Sequence, residues 1–214
     1  MSPDRPARLP SRGLYAITDG PRDDLLAAAR AALEGGAMLL QYRDKTRDAA
    51  RRLREARSLA ELCRKFDVPL VINDDAELAG ASGAAGVHLG EDDLDVAIAR
   101  AALGPGAIIG VSCYDSLQRA EAAAAAGADY LAFGAFFPSL SKPGARRANA
   151  ALLREAREFG LPLVAIGGIT AENGGSLIAA GADFLAVISA LFGARDVRAA
   201  ASGFAALFQT RDQA

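Results

Sequence analysis

The sequence predicts an α/β fold of the (β/α)8 barrel class, folded as a single domain, and three observations predict it. Eight short apolar runs alternate with longer stretches rich in Ala, Leu, Arg and Glu, and strict strand–helix alternation builds a parallel sheet flanked by helices. Four helical stretches end in small-residue turns that lead directly into the next run: Gly35-Gly36-Ala37, Ala84-Ala85-Gly86, Gly127-Ala128-Asp129 and Gly181-Ala182-Asp183. Polar and charged residues gather at the C-terminal ends of the runs, the face on which such barrels place their chemistry.

The strands are expected at 14–19, 38–43, 69–75, 86–90, 108–113, 130–136, 163–169 and 184–190. Each is apolar through most of its length, as befits a strand covered on both faces, and polar residues come in toward its C-terminal end. Helical spacing occupies 23–35, 48–66, 116–126 and 149–159. A doubly wound open sheet would call for a Gly-x-Gly-x-x-Gly turn after an early strand, and no convincing one occurs. The catalytic barrel is expected over 13–210, preceded by a loose tail over 1–12.

Composition narrows the function classes. The chain has 214 residues, 51% hydrophobic, with a formal net charge of −2. That is enough chain for one well-buried core, and it lacks the basic excess of a nucleic-acid binder. No apolar run approaches the roughly 20 residues that span a bilayer, and 1–12 has no apolar segment of a secretory signal. The two cysteines, Cys63 and Cys113, lie far apart without metal-ligand spacing. A reduced, cytoplasmic setting follows as the expectation.

The strand ends carry the candidate chemistry. After the second run comes Gln41-Tyr42-Arg43-Asp44-Lys45, where alternation sets Gln41, Arg43 and Lys45 on one side. An Arg fork with a Lys point charge suits a pyrophosphate; ordinary ion pairs on a solvated loop are the alternative. The third run ends in Asn73-Asp74-Asp75. A helix N-cap accounts for one carboxylate, most simply Asp75, but not for both. The fourth run leads through His88 to Glu91-Asp92-Asp93, so Asp74 and Asp93 could share one Mg²⁺ from adjacent strands. His88, the single histidine, sits among apolar residues and reads first as a packed interior residue and second as an acid–base group.

The fifth run ends in Ser112-Cys113, where Ser112 could donate to a phosphate oxygen or cap a helix. The sixth ends in Phe136-Phe137-Pro138-Ser139-Leu140-Ser141-Lys142, two hydroxyls and a lysine in a loop suited to an anion. Arg146 and Arg147 beyond it read as anion ligands or as a solvated helix start. The seventh and eighth run into Gly167-Gly168 and Ile188-Ser189. Paired glycines admit close approach of backbone N–H groups to phosphate, or simply turn the chain.

Taken together and in order, these segments resemble one family, thiamine-phosphate synthase, also called thiamine-phosphate pyrophosphorylase. The resemblance runs from Leu14-Tyr15-Ala16-Ile17-Thr18-Asp19 to Ile188-Ser189, most of the chain. It implies a Mg²⁺-dependent transferase of thiamine biosynthesis. Such an enzyme joins 4-amino-2-methyl-5-hydroxymethylpyrimidine diphosphate to a thiazole phosphate by a dissociative substitution, releasing pyrophosphate. It further implies that Gln41, Tyr42, Arg43, Asp44, Lys45, Asn73, Ser112 and Lys142 hold the pyrimidine diphosphate, with Lys142, Arg43 and Ser112 catalytic. Ser139, Leu140, Ser141, Gly168, Ile188 and Ser189 would bind the thiazole phosphate, and Asp74 and Asp93 the metal.

The chain departs from that pattern in two places. It has Ser141, and also Ser139, where the family favours Thr, which removes a methyl that restricts χ1. It has Glu91 where Gln is usual, adding charge beside Asp93. A thiazole tautomerase-like isomerase and a silent thiazole-phosphate binder on the same fold are the competing readings. The charged set argues against both, and the Ala-rich outer helices leave self-association open.

Overall fold

The computed structural model describes residues 8–138 and 146–209. Eight strands close a barrel in chain order: β1 (Gly13–Ile17), β2 (Ala37–Tyr42), β3 (Leu70–Asn73), β4 (Gly86–Leu89), β5 (Ile108–Tyr114), β6 (Tyr130–Phe133), β7 (Leu163–Ile166) and β8 (Phe184–Val187). Every neighbouring pair is parallel, including β8 with β1. The helices between them are α1 (Leu25–Glu34), α2 (Ala49–Lys65), α3 (Ala76–Ser82), α4 (Val96–Leu103), α5 (Leu117–Ala125), α6 (Ala150–Glu155, continued by a 3₁₀ turn over Ala156–Phe159) and α7 (Ala171–Ala180). A short α8 (Ser189–Phe192) and α9 (Val197–Ala206) follow β8.

The expected runs all become strands because each supplies two cores. Alternate residues face opposite ways. In β1, Leu14 and Ala16 pack outward against the helices, while Tyr15 and Ile17 join Leu39, Val71, Tyr130, Val164 and Phe184 inside the barrel. Both faces being covered, no position in the run needs a polar residue. The strands end earlier than the apolar runs do, at Phe133, Ile166 and Val187. The residues beyond leave the ladder to build the mouth.

Helix entries follow from local chemistry. Asp48 accepts from the Arg51 N–H at 3.0 Å and Asp75 from the Leu78 N–H at 2.8 Å, each satisfying an otherwise orphaned donor of the first turn. At the helix exits the left-handed residue is Gly36, Gly127 and Gly181 in three turns. In the fourth it is Gly83, not the expected Ala84-Ala85-Gly86. Gly86 already lies in β4, where an added Cβ would stand 1.8 Å from the Ile108 carbonyl oxygen; its smallness serves strand contact rather than the turn. At the other pole, Leu9 packs on the inner cluster and the Arg12 guanidinium lies 5.5 Å above the Phe208 ring. The segment expected as a tail is therefore docked from Leu9 onward. Among the described residues no helix is long and apolar enough to cross a membrane.

Candidate active site

The C-terminal end of β2 splits its residues between two environments. Gln41 points inward, is 2% exposed, and donates from Nε2 to the Tyr15 hydroxyl at 2.6 Å. Arg43 follows just past the strand end, its backbone held by Thr18, whose Oγ1 accepts from the Arg43 N–H at 2.8 Å. Lys45 is 3.7 Å from Asp74. Tyr42 and Asp44 do not join them. The Tyr42 hydroxyl donates to Glu55 of α2 at 2.6 Å, and the Asp44 carboxylate meets Arg51 of α2 at 2.6 Å while accepting from the Thr46 N–H. The period-2 alternation that brings Gln41 inward turns Tyr42 outward, and Asp44 continues that orientation.

The carboxylates of the next two strand ends separate into a cap and a pair. Asp75 caps α3 and is joined by Arg52 at 3.0 Å. Asp74, in a left-handed backbone at φ 65°, faces the mouth. Burial, a hydrogen bond to Asp93 and the negative charge of Asp93 push its carboxyl above the usual range, against the pull of Lys45 and Asn73. Asp93 Oδ2 also accepts from the Gly90 N–H at 2.5 Å. Two carboxylates from adjacent strand ends thus stand close enough to share a proton. Glu91 is joined to Arg146 at 2.5 Å, and the Arg146 guanidinium lies 4.9 Å above the Tyr114 ring. The extra charge of Glu91 is therefore offset locally.

Below the mouth, His88 is 8% exposed. Its Nδ1 lies 2.9 Å from the Tyr130 hydroxyl and its Nε2 2.9 Å from Ser112 Oγ. Burial pushes the imidazole down to about 4, with Asp93 opposing, so the ring is neutral at physiological pH. Arg119 donates to the Ser112 carbonyl at 2.7 Å and to the Gly90 carbonyl at 2.9 Å, tying the ends of β4 and β5.

A cavity of about 200 Å³ opens beside these groups, lined by Pro138, Gly167, Gly168, Ile188 and Ser189 among others. The segment after β6 runs across the mouth of β7, with the Phe136 N–H on the Ile166 carbonyl and the Phe137 N–H on that of Gly167. An added Cβ would stand 2.4 Å from the Ala135 Cβ at Gly167 and 2.3 Å from the Pro138 carbonyl at Gly168, both at positive φ. The glycine pair is thus required by this close approach as well as by the turn. Loops after the seventh and eighth strands and a short helix beginning at Ser189 are the arrangement with which barrels bind phosphate.

Of the sequence-predicted residues, Gln41, Arg43, Lys45, Asn73, Asp74, Asp93 and Ser112 occupy the ends of β2 to β5, and Gly168, Ile188 and Ser189 the adjoining cavity. Ser139, Leu140, Ser141 and Lys142 lie outside the described residues. Sequence reasoning missed Thr18, Tyr15 and Tyr130 as site-building residues. A tyrosine at an inward position of an otherwise apolar strand is the signal that could have found the last two, because a buried hydroxyl requires a partner.

The family model described as thiamine monophosphate synthase matches residues 14–191. The thiamine-phosphate synthase of Nitrosococcus oceani is 56% identical over 197 residues, covering 90% of this chain and 91% of the relative. That of Thiobacillus denitrificans is 56% identical over 199 residues, covering 92% and 94%. Among solved structures, the thiamine phosphate pyrophosphorylase of Pyrococcus furiosus superposes with a TM-score of 0.84 at 36% identity, covering 94% of this chain and 96% of that one.

Proposed function

The chain belongs to the thiamine monophosphate synthase family, and from that premise we propose how its barrel mouth performs the reaction. It is a transferase of thiamine biosynthesis, joining the pyrimidine diphosphate to the thiazole phosphate. In the reaction, the bond between the pyrimidine methylene carbon and the diphosphate oxygen breaks and its electron pair leaves with pyrophosphate. The thiazole nitrogen supplies the pair for the new C–N bond. The catalytic barrel spans 13–210 and works in the cytoplasm.

The observation that carries the residue assignment is the Asp74–Asp93 pair facing Lys45 at the mouth. A carboxyl pushed up by burial and by a neighbouring carboxylate marks a place where positive charge completes the site. Among the described residues no three His, Cys, Asp or Glu side chains gather as a metal group. Two carboxylates suit Mg²⁺, which keeps several waters and takes further oxygens from a phosphate. Asp74 and Asp93 would hold it, and bound Mg²⁺ would supply charge neutralisation at the departing diphosphate.

Arg43, Lys45 and Lys142 stabilise the leaving group as its charge grows, which lowers the barrier because the interaction strengthens toward the transition state. Ser112 donates a hydroxyl to a phosphate oxygen. Gln41 and Asn73 position the pyrimidine diphosphate. Ser139, Leu140, Ser141, Gly168, Ile188 and Ser189 hold the thiazole phosphate beside the cation-forming carbon, so that capture is effectively intramolecular. A strong base is not needed. Tyr42 and Asp44 act indirectly, by fixing the loop that carries Arg43 and Lys45. The engagement of both ring nitrogens of His88 speaks against the isomerase alternative.

Purified protein is mixed with both substrates and Mg²⁺, and pyrophosphate release is measured with and without EDTA. Release that requires both substrates and is abolished by EDTA is the expected result. Release unaffected by EDTA would remove the metal assignment, and no release would remove the synthase reading.

A further inference from the structure

The barrel interior contains one continuous polar path through otherwise apolar packing. Gln41 Nε2 is 2.6 Å from the Tyr15 hydroxyl, which is 2.7 Å from that of Tyr130. Tyr130 is 2.9 Å from His88 Nδ1, and His88 Nε2 is 2.9 Å from Ser112 Oγ. The five residues come from β2, β1, β6, β4 and β5. Tyr15 and Tyr130 meet edge to face at 89°, and His88 stacks on Tyr130 at 16°. The relative exposures of Gln41, Tyr15 and Tyr130 are 2%, 1% and 0%, so water does not substitute for a missing partner.

We propose that Gln41, Tyr15, Tyr130 and His88 form a one-way hydrogen-bond relay that fixes the His88 tautomer and thereby aims the Ser112 hydroxyl proton into the mouth. His88 is then a positioning residue, acting through Ser112; the consequence for turnover rests on the reading of Ser112 given above.

Proton counting sets the direction. An amide nitrogen only donates. The Tyr15 oxygen accepts from Gln41, and its single proton goes on to Tyr130. Tyr130 in turn gives its proton to His88 Nδ1. A neutral imidazole with Nδ1 as acceptor carries its proton on Nε2 and donates it to Ser112 Oγ. The Ser112 proton is then left for an acceptor outside the relay. The opposite direction would turn the Gln41 carbonyl toward Tyr15 and point the Ser112 proton at His88. Oxygen lone pairs would then face the anionic diphosphate, the wrong polarity for a leaving-group donor.

The single histidine makes the test direct. Long-range ¹H–¹⁵N correlation on uniformly ¹⁵N-labelled protein at neutral pH reports which imidazole nitrogen carries the proton. Protonation at Nε2 alone is expected; an Nδ1–H tautomer or a cationic ring overturns the relay whatever Ser112 does. In turnover assays, Tyr130→Phe should lower kcat about five- to tenfold, the scale of one hydrogen bond, with KM for the pyrimidine diphosphate nearly unchanged. In a Ser112→Ala background the same change should add nothing, because the relay has no serine to aim. Additive losses would assign Tyr130 a merely structural role and overturn the coupling. Near-normal turnover of Ser112→Ala alone would overturn the reading of Ser112, and with it the catalytic use of the relay, while the tautomer measurement still reports on the relay itself.

Discussion

Gly110→Ala is the sharpest probe of the barrel interior. Gly110 lies in β5 between His88 of β4 and Tyr130 of β6 in the register of the sheet. An added Cβ would stand 1.9 Å from Tyr130 Cζ and 2.3 Å from its hydroxyl oxygen. Tyr130 is wholly buried and has to retreat by about 1.5 Å to restore a contact distance of 3.4 Å. That movement stretches the bonds to Tyr15 and His88, now 2.7 and 2.9 Å, beyond useful range. Overpacking costs about 1–3 kcal/mol, and two weakened hydrogen bonds add about 1 kcal/mol each. The smaller entropy loss of Ala on folding returns about 0.5–1 kcal/mol. The net loss is about 2–4 kcal/mol, which at roughly 2–4 °C per kcal/mol for a domain of this size lowers Tm by roughly 5–15 °C. Thermal unfolding followed by circular dichroism measures it. Gly175→Ala, on the exposed face of α7 with nothing within 4 Å of the new Cβ, should instead gain about 0.5–1 kcal/mol and serves as the control. A Gly110→Ala midpoint within about 2 °C of the parent would refute the reasoning.

Three further outcomes follow from the site. Asp44→Asn should lower the stability measured by thermal unfolding by about 2–3 kcal/mol, because the carboxylate, with no exposed side-chain surface, holds Arg51. Burial works against the Asp44 charge, but the Thr46 hydrogen bonds, Arg51 and Arg52 outweigh it and hold the carboxyl below its ordinary value. Its stabilisation is therefore complete above the unfolded value of about 4 and lost as pH falls through the lower folded value. Acid unfolding curves of the Asn variant should be correspondingly flatter. Asp74→Asn should raise the Mg²⁺ concentration giving half-maximal turnover by about tenfold or more, an effect that an unchanged titration would contradict. Lys142→Ala should lower kcat by about 100-fold or more with an unchanged circular dichroism spectrum; near-normal turnover would take Lys142 out of the mechanism.

Much of this was legible in the sequence, for identifiable reasons. Strands buried on both faces read as unbroken apolar runs, so all eight were visible, and their alternation with helices left few topologies to consider. The polar strand ends were visible for the same reason: Asn73, Asp74 and Asp93 interrupt an apolar pattern. Alternation also grouped Gln41 with Arg43 and Lys45, whereas Tyr42 and Asp44, expected on the diphosphate, meet Glu55 and Arg51 of α2 instead. What the sequence could not display was the path from Gln41 to Ser112. Its links join residues 24 to 115 positions apart, and only closure of the barrel brings them together. The same holds for Gly86 and Gly168, whose smallness answers to the Ile108 carbonyl and to the Pro138 carbonyl rather than to any local pattern.

Arg119 bears on how this barrel could be recombined. Rooted on α5, it grips the carbonyls of Gly90 and Ser112 and lies 5.7 Å over the Tyr114 ring, so one side chain spans the exits of the fourth and fifth strands. The fourth and fifth βα units are for that reason one inheritable module. A chimera that exchanges either alone with a distant barrel separates the grip from what it holds, and shifts the carboxylate half of the mouth relative to the hydroxyl half. Crossover points before β4 and after α5 preserve the alignment, and a shuffled library should yield its active members there.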